Sequence, residues 1–292
     1  MKKLLSAVLV GAGITLACSG LVSCGGSKKD ELNLVTKGKL TVVTSSDFAP
    51  YEFIDLTKTG QDKFVGSDMS LARYLAKELK LELVIKAMDF DQILTALSSS
   101  KADLAISGIS YTEDRAAYLF SDCYYGVGDG GQVVITTKAN APKYTSLESL
   151  NVSSVKIAAQ TGALQADLVK SQLPSATLVQ VTDLTAALTQ LKDGTFDAIA
   201  MASNVYQAWA LTDSDIVQVA TFDYEDTGSY AVAAPGNTSL INAINPLIAK
   251  VQEKNEEGKT MYDIWTDEAN ALFEQLGSNA SEENPDDDII EL

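Results

Sequence analysis

Arg115 is the side chain of this sequence with the most distinctive chemistry. It follows Thr112, Glu113 and Asp114 in a segment that we interpret as the first turn of a helix capped by Thr112. A planar guanidinium can hold a carboxylate through two parallel hydrogen bonds. A surface ion pair with Glu113 or Asp114 is the alternative, but adjacent residues on a helix point apart. The segment therefore predicts a carboxylate-binding site.

Small polar residues precede this arginine. Ser107, Gly108 and Ser110 follow the apolar run 104–106, which predicts a buried strand. Open α/β sheets bind ligands at the carboxyl ends of their strands, where these residues can offer hydroxyl and backbone hydrogen bonds. An ordinary strand-to-loop turn is the alternative explanation for Ser107 and Gly108. We expect the three residues to contribute to the same site as Arg115.

Short apolar runs alternate with helical patterns along most of the chain. The first strand is predicted at Leu40–Val43, and leucines recur at four-residue intervals from Leu71 to Leu79 in a helix with Asp68 as its expected N-cap. The alternation begins again near Val155. This pattern predicts an α/β fold in which each of two halves has a mainly parallel sheet flanked by helices.

Glycine-containing segments separate the two halves. Residues 126–131 read Gly-Val-Gly-Asp-Gly-Gly, and a second such segment is Asp226–Tyr230. Glycine permits the backbone conformations that hinges use, so two crossings would join two lobes around a cleft. Plain surface loops are the alternative. We expect lobe 1 to comprise residues 38–128 and 228–276, and lobe 2 to comprise residues 129–227.

The amino-terminal residues predict export and a lipid anchor. A lysine pair precedes an apolar run from Leu4 to Leu16, which is shorter than the roughly 20 residues of a membrane span and fits a secretory signal. Residues 21–25 read Leu-Val-Ser-Cys-Gly, typical of a bacterial lipobox. We expect residues 1–23 to be removed, Cys24 to carry lipid outside the cytoplasm, and residues 24–37 to form a flexible tether. An ordinary signal peptide with an incidental cysteine is the alternative.

Composition excludes several classes of function. The chain has 22 basic and 39 acidic residues and a net charge of −17, which becomes −17 − 2 = −19 when the lysine pair leaves with the signal peptide. This acidity argues against a nucleic-acid partner. The absence of His and the scattered Cys argue against zinc and copper sites, so no cofactor is expected. The acidic residues 277–292 are expected to form a disordered tail.

Seven segments together resemble one known family in their order along the chain. They are Ser46–Phe53, Val65–Ala72, Met88–Phe90, Asp103–Ser110, Thr112–Arg115, Phe120–Tyr125 and Lys259–Trp265. The chain is similar to the substrate-binding proteins of polar amino-acid ABC transporters, bacterial extracellular solute-binding protein family 3. The resemblance implies a two-lobe, type II periplasmic-binding-protein fold and a monomer without enzymatic activity. It also implies capture of a small carboxylate-bearing ligand, foremost a polar amino acid, for an ABC transporter permease.

The resemblance also implies the residues of the site. Arg115 would bind the ligand's carboxylate, Phe48 and Phe90 would enclose its side chain, and a strand-to-helix turn in lobe 2 would donate backbone N–H groups to the same carboxylate. Contacts from both lobes would favour the closed state. The expected ligand-binding residues are Ser45, Phe48, Phe90, Ser107, Gly108, Ser110, Arg115, Gln160, Gly162, Ala163, Leu164 and Gln165.

Four positions depart from the family's pattern. Ala163 and Leu164 stand where relatives have hydroxyl residues, so backbone donors alone remain there. Ala202 stands where relatives have the acid that pairs with the ligand's α-ammonium. An acid without an amine and an amine held differently, for example by Glu225, both stay open. Ser45 stands where several relatives have an acid that reads the ligand's side chain, which disfavours a strongly cationic ligand.

Two other functions are compatible with the same fold. Dehydratases of cyclic acids share it, and the missing ammonium partner fits their ligands. The absence of His and of a nucleophile–base pair argues against such chemistry. A sensor ectodomain is the other alternative, but no membrane-spanning pattern follows Trp265.

Overall fold

The computed structural model describes residues 32–126, 131–225 and 227–282 of the chain. The predicted signal peptide, Cys24, the first part of the tether, the middle of the first crossing, Asp226 and the end of the acidic tail lie outside the described residues. None of the helices within these ranges combines the length and the apolar character that a membrane span requires.

Strands and helices alternate through most of the described chain, as the apolar pattern predicts. In chain order they are β1 (Lys39–Thr44), β2 (Asp47–Phe48), β3 (Glu52–Ile54), β4 (Phe64–Val65), α1 (Ser67–Leu79), β5 (Glu82–Ala87), α2 (Phe90–Ser98), β6 (Leu104–Ala105), β7 (Leu119–Tyr125), β8 (Gln132–Thr137), α3 (Leu147–Leu150), β9 (Lys156–Gln160), α4 (Leu164–Gln172), β10 (Thr177–Val181), α5 (Leu184–Lys192), β11 (Ala198–Ala202), α6 (Ser203–Thr212), β12 (Ile216–Thr221), β13 (Ser229–Ala233), α7 (Thr238–Val251) and α8 (Met261–Glu282).

Two five-stranded sheets form the centres of the two lobes. The lobe 1 sheet has the order β5-β1-β6-β13-β7, and the lobe 2 sheet has the order β10-β9-β11-β8-β12. The predicted α/β fold is confirmed, but each sheet is mixed rather than mainly parallel, with two parallel and two antiparallel pairings. The antiparallel pairings all involve strands that flank a crossing between the sheets, where the chain changes direction.

The two crossings come close to each other at Gly126 and Gly228. The first joins β7 to β8 and the second joins β12 to β13. Gly126 and Gly228 both have positive φ, and a Cβ built on Gly126 would lie 3.8 Å from the Cα of Gly228. The chain therefore passes between the lobes through two neighbouring glycines. Their positive φ is a conformation that residues with side chains rarely adopt.

The expected N-cap of α1 is wrong. The helix begins at Ser67 with Gly66 as its cap, and Asp68 is fully buried inside the first turn. Gly66 has a φ of +118°, and a Cβ built on it would lie 2.1 Å from the carbonyl oxygen of Tyr51. Close packing against the Pro50–Tyr51 backbone, rather than capping chemistry, therefore sets the start of this helix.

The ends of the described chain are more ordered than composition predicts. Leu32 and Leu34 pack against the lobe 1 core, and the Val35 N–H donates to Asp103 at 2.6 Å, so residues 32–37 are not a free tether. At the other end α8 runs to Glu282, so residues 277–282 are helical. Packing of α8 on α6, where Gly277 meets Thr212, supports a helix that composition alone does not reveal.

Replacing Gly66 with alanine is expected to lower the free energy of unfolding by about 3 kcal/mol or more, because positive-φ strain adds to a backbone clash. Gly38→Ala is the matched control. Gly38 has a φ of +81° but open space around it. The free energy of unfolding of Gly38→Ala should therefore fall by about 1 kcal/mol. Urea denaturation of both variants measures the difference, and equal losses would contradict the packing argument.

Candidate functional site

The predicted site residues gather in a cleft between the two lobes. Most of them line two adjoining compartments that share Phe48, Gly108, Ser110 and Gln165. The predicted residues in this lining are Phe48, Phe90, Gly108, Ser110, Arg115, Gln160, Ala163, Leu164 and Gln165. Ser45, Ser107 and Gly162 stand behind the lining or beside it. Whether each residue contacts a ligand stays a prediction.

Arg115 lies between the lobes with its charge buried. Only 4% of the residue is exposed. Its Nη1 donates to the carbonyl of Ser110 at 2.7 Å, and its Nη2 donates to the carbonyl of Gly162 at 2.8 Å in the other lobe. Within the described ranges no carboxylate lies within 4.0 Å of the guanidinium. Burial lowers the pKa of Arg115, which means that the site disfavours its charge.

The local structure around Arg115 is tighter than predicted. Glu113–Arg115 form a short 3-10 turn rather than the start of an α-helix, and the Thr112 side chain makes no capping bond. The Phe90 ring centroid lies 5.7 Å from the Arg115 guanidinium carbon, at cation–π distance. The turn and the ring together hold the guanidinium across the cleft.

Gly108 allows an aromatic ring to close over the strand end. Its φ is +56°, and a Cβ there would lie 3.0 Å from Cε1 of Phe48. Phe48 stacks on Tyr51 with ring centroids 5.6 Å apart, and Tyr51 meets Tyr125 at 5.5 Å. These three rings form one side of the cleft, which we call the aromatic wall. Phe48 was predicted as a site residue, whereas Tyr51 and Tyr125 were not.

Ser45 and Ser107 are both buried and bond to each other rather than facing the cleft. The Ser45 N–H donates to the Ser107 hydroxyl at 3.0 Å, and the two hydroxyl oxygens are 3.1 Å apart. The Ser107 hydroxyl in turn donates to Glu52 at 2.7 Å. In this arrangement both serines support the loop that follows β6, and their direct contact with a ligand stays a prediction.

A network of buried acids and tyrosines supports the loop that follows β6. Asp68 accepts hydrogen bonds from the Gly108 N–H and the Tyr124 hydroxyl, both at 2.8 Å, and from the Tyr262 hydroxyl. Burial and then the neighbouring charge of Asp68 raise the pKa of Glu52 well above its usual value. We therefore expect Glu52 to be protonated. Sequence reasoning missed this role of Asp68, because its partner Tyr262 is 194 residues away.

Lobe 2 contributes the turn between β9 and α4. Gly162 has a φ of +76°, and a Cβ on it would meet Asp91 of lobe 1 at 3.4 Å. Helix α4 begins at Leu164 without a side-chain cap, so the N–H groups of Leu164 and Gln165 lack intrahelical acceptors. As expected from the loss of hydroxyl residues, Ala163 leaves backbone donors alone at this position.

The remaining lining is polar but uncharged. Ala202 lines the cleft, in agreement with the resemblance described above, whereas Glu225 does not line it. Residues that sequence reasoning missed also line this part, namely Gln132, Asn204 and Ser229. Gln132 accepts a hydrogen bond from Gln165 at 2.6 Å. Among the described lining residues Arg115 is the single formal charge.

Known proteins share both this sequence pattern and this fold. The chain matches the bacterial extracellular solute-binding proteins, family 3, over residues 40–268. It is 30% identical to the arginine-binding extracellular protein ArtP of Bacillus subtilis over 88% of this chain and 95% of that protein. It is 24% identical to the cyclohexadienyl dehydratase of Pseudomonas aeruginosa over 62% of this chain and 67% of that protein.

A solved structure gives the same result for the fold. An amino acid ABC transporter substrate-binding protein of Streptococcus pneumoniae, crystallised with L-arginine, superposes with a TM-score of 0.72 at 32% identity. The match covers 80% of this chain and 95% of that one, which confirms the two-lobe fold. The chain therefore belongs to the bacterial extracellular solute-binding proteins of family 3.

Proposed function

We propose that this protein is a monomeric, extracytoplasmic solute-binding lipoprotein. It captures a small carboxylate-bearing ligand, foremost a polar amino acid, between its lobes and delivers it to an ABC transporter permease. The similarity to amino-acid-binding relatives supports the transport role. The lipobox around Cys24 supports the anchor. The single observation that carries the ligand class is the buried, unpaired charge of Arg115.

Burial of a cation without a paired carboxylate costs several kcal/mol. The more distant charges of Asp114 and Asp167 offset part of that cost for Arg115, and an anion in the cleft would lower it further. Two of the five N–H donors of the Arg115 guanidinium bond to Ser110 and Gly162, which leaves three for a ligand. The first N–H groups of α4 lie in the lining opposite and can donate to the same anion. A carboxylate is the ligand group that matches this set of donors.

The ligand's amine would meet neutral groups. Ser110, Asn204 and Ser229 offer oxygens to an ammonium, and the aromatic wall offers ring faces. The missing acid at Ala202 therefore need not exclude an amino acid. An acid without an amine fits Arg115 equally well, so the amine is the less constrained end of the ligand.

The ligand's side chain is expected to be uncharged. The compartment beside Arg115 is lined by Phe48, Phe90, Leu164 and two glutamine amides, with no carboxylate among the described lining residues. A second cation there would face Arg115 without an acid to balance it. This lining supports a neutral polar side chain rather than the arginine that the named relatives bind.

An enzymatic role has less support. Dehydration requires a proton donor or acceptor beside the substrate, and the described lining contains no carboxylate, lysine or histidine. Glu52, whose pKa burial raises, lies behind Ser107, away from the cleft. We therefore propose binding without catalysis, and turnover of a cyclic acid such as prephenate by the purified protein would contradict this.

A thermal-shift screen tests the ligand class. L-citrulline and L-arginine have the same length and differ in side-chain charge, so L-citrulline should raise the melting temperature more. A ligand at 100 times its dissociation constant stabilises by about 2.7 kcal/mol. A larger shift with L-arginine would contradict the uncharged side chain. If no amino acid raises the melting temperature but keto or cyclic acids clearly do, the ligand is an acid without an amine.

Replacing Arg115 with methionine separates binding from folding. Removal of a buried unpaired charge should leave the free energy of unfolding of the ligand-free protein within about 1 kcal/mol. Affinity for the ligand found by the screen should fall about 100-fold or more, because a buried charge-assisted pair is lost. Isothermal titration calorimetry and urea denaturation measure the two effects.

Arg73→Met is the matched control. Arg73 also donates to backbone carbonyls, including that of Phe64 at 2.7 Å, but it lies outside the lining of the cleft. Its loss should lower stability and leave affinity unchanged. Unchanged affinity in the Arg115 variant would overturn the proposed carboxylate contact.

A further inference from the structure

Asp47 makes a contact between the lobes that the proposed site does not use. It belongs to β2 of lobe 1, and only 8% of the residue is exposed. Its Oδ2 accepts a hydrogen bond from the Leu184 N–H at 2.8 Å and from the Gln160 side-chain amide at 2.8 Å. Both donors belong to lobe 2, so one carboxylate oxygen joins two separate elements of the opposite lobe.

The Leu184 N–H is a donor that needs an external partner. Leu184 is the first residue of α5, a helix of nine residues, and the first N–H groups of a helix have no intrahelical acceptor. The cap residue Asp183 already accepts from Ala186 at 2.7 Å. The helix dipole favours a negative charge at this position, whereas burial and, less strongly, the charge of Asp183 raise the pKa of Asp47. Asp47 of lobe 1 therefore supplies the hydrogen-bond acceptor that the Leu184 N–H lacks within lobe 2.

The same closed geometry is supported by a second contact. Arg115 donates from lobe 1 to the carbonyl of Gly162 at 2.8 Å. Gln160 and Gly162 are two residues apart. Asp47 and Arg115 therefore bind the start and the middle of the same turn between β9 and α4. Opening the cleft would break both, and neither contact requires a ligand.

We propose that Asp47 is a positioning residue that latches lobe 1 to the start of α5 in the ligand-free protein and so favours the closed cleft. The proposal builds on the closing mechanism of the proposed function. A contact that exists in one state alone shifts the equilibrium toward that state by its own free energy. Apparent affinity changes in proportion to the population of the competent state, so the latch also tunes ligand capture without touching the ligand.

The amide of Leu184 reports the latch directly. Hydrogen exchange of the ligand-free protein, followed by NMR, should show this amide protected in the wild type. In Asp47→Ala its exchange should accelerate about tenfold or more, because its single acceptor is lost. Asp47→Asn keeps an acceptor oxygen and should retain part of the protection. That rescue would not follow from a general loss of stability.

Asp183→Ala is the matched control. It should release the Ala186 amide and leave Leu184 protected, the reverse of the Asp47→Ala pattern. An unprotected Leu184 amide in the wild type overturns the latch, as does protection that survives Asp47→Ala. If Asp47→Ala fails to fold, an unprotected Leu184 amide in the wild type, or undiminished protection in Asp47→Asn, still overturns the latch. Because no ligand is used, failure of the latch is distinguishable from failure of the proposed function.

Discussion

Arg115 places a buried positive charge between two lobes and satisfies it with backbone carbonyls of both, Ser110 on one side and Gly162 on the other. Carbonyl dipoles satisfy hydrogen bonds but do not neutralise a charge, so the closed cleft without an anion carries an electrostatic cost. In the proposed function, a ligand carboxylate would remove that cost and gain donors from both lobes. Anion binding would thereby add to the closed state an electrostatic stabilisation that the contacts between the lobes do not supply.

The rest of lobe 1 serves to hold that charge in place. The loop after β6 carries Gly108 and Ser110, and Asp68 anchors it through the Gly108 N–H. Tyr124 and Tyr262 bring β7 and α8 to the same carboxylate. Lobe 2 offers the backbone groups of the turn between β9 and α4 together with the side-chain amides of Gln160 and Gln165. Under the proposed function, specificity for the side chain of the ligand would depend mainly on Phe48, Phe90 and the neutral lining.

Sequence patterns predicted the features that depend on local spacing. Apolar periodicity located α1 and β1, and the order of short motifs indicated the cleft residues around Arg115. The patterns could not predict the role of Asp68, since its partners come from distant elements, or the burial of Ser45 and Ser107 beneath the cleft. The helical residues 277–282 were missed for a similar reason, because packing against α6 outweighs an acidic composition.

In the proposed function, the carboxylate of the bound ligand neutralises the buried charge of Arg115. The most direct measurement compares, by isothermal titration calorimetry, the amino acid that binds best with its α-carboxamide, which keeps the shape and loses the negative charge. The carboxamide should bind at least about 100-fold more weakly, the loss expected for a buried charge-assisted pair. Equal affinities for the two compounds would contradict it.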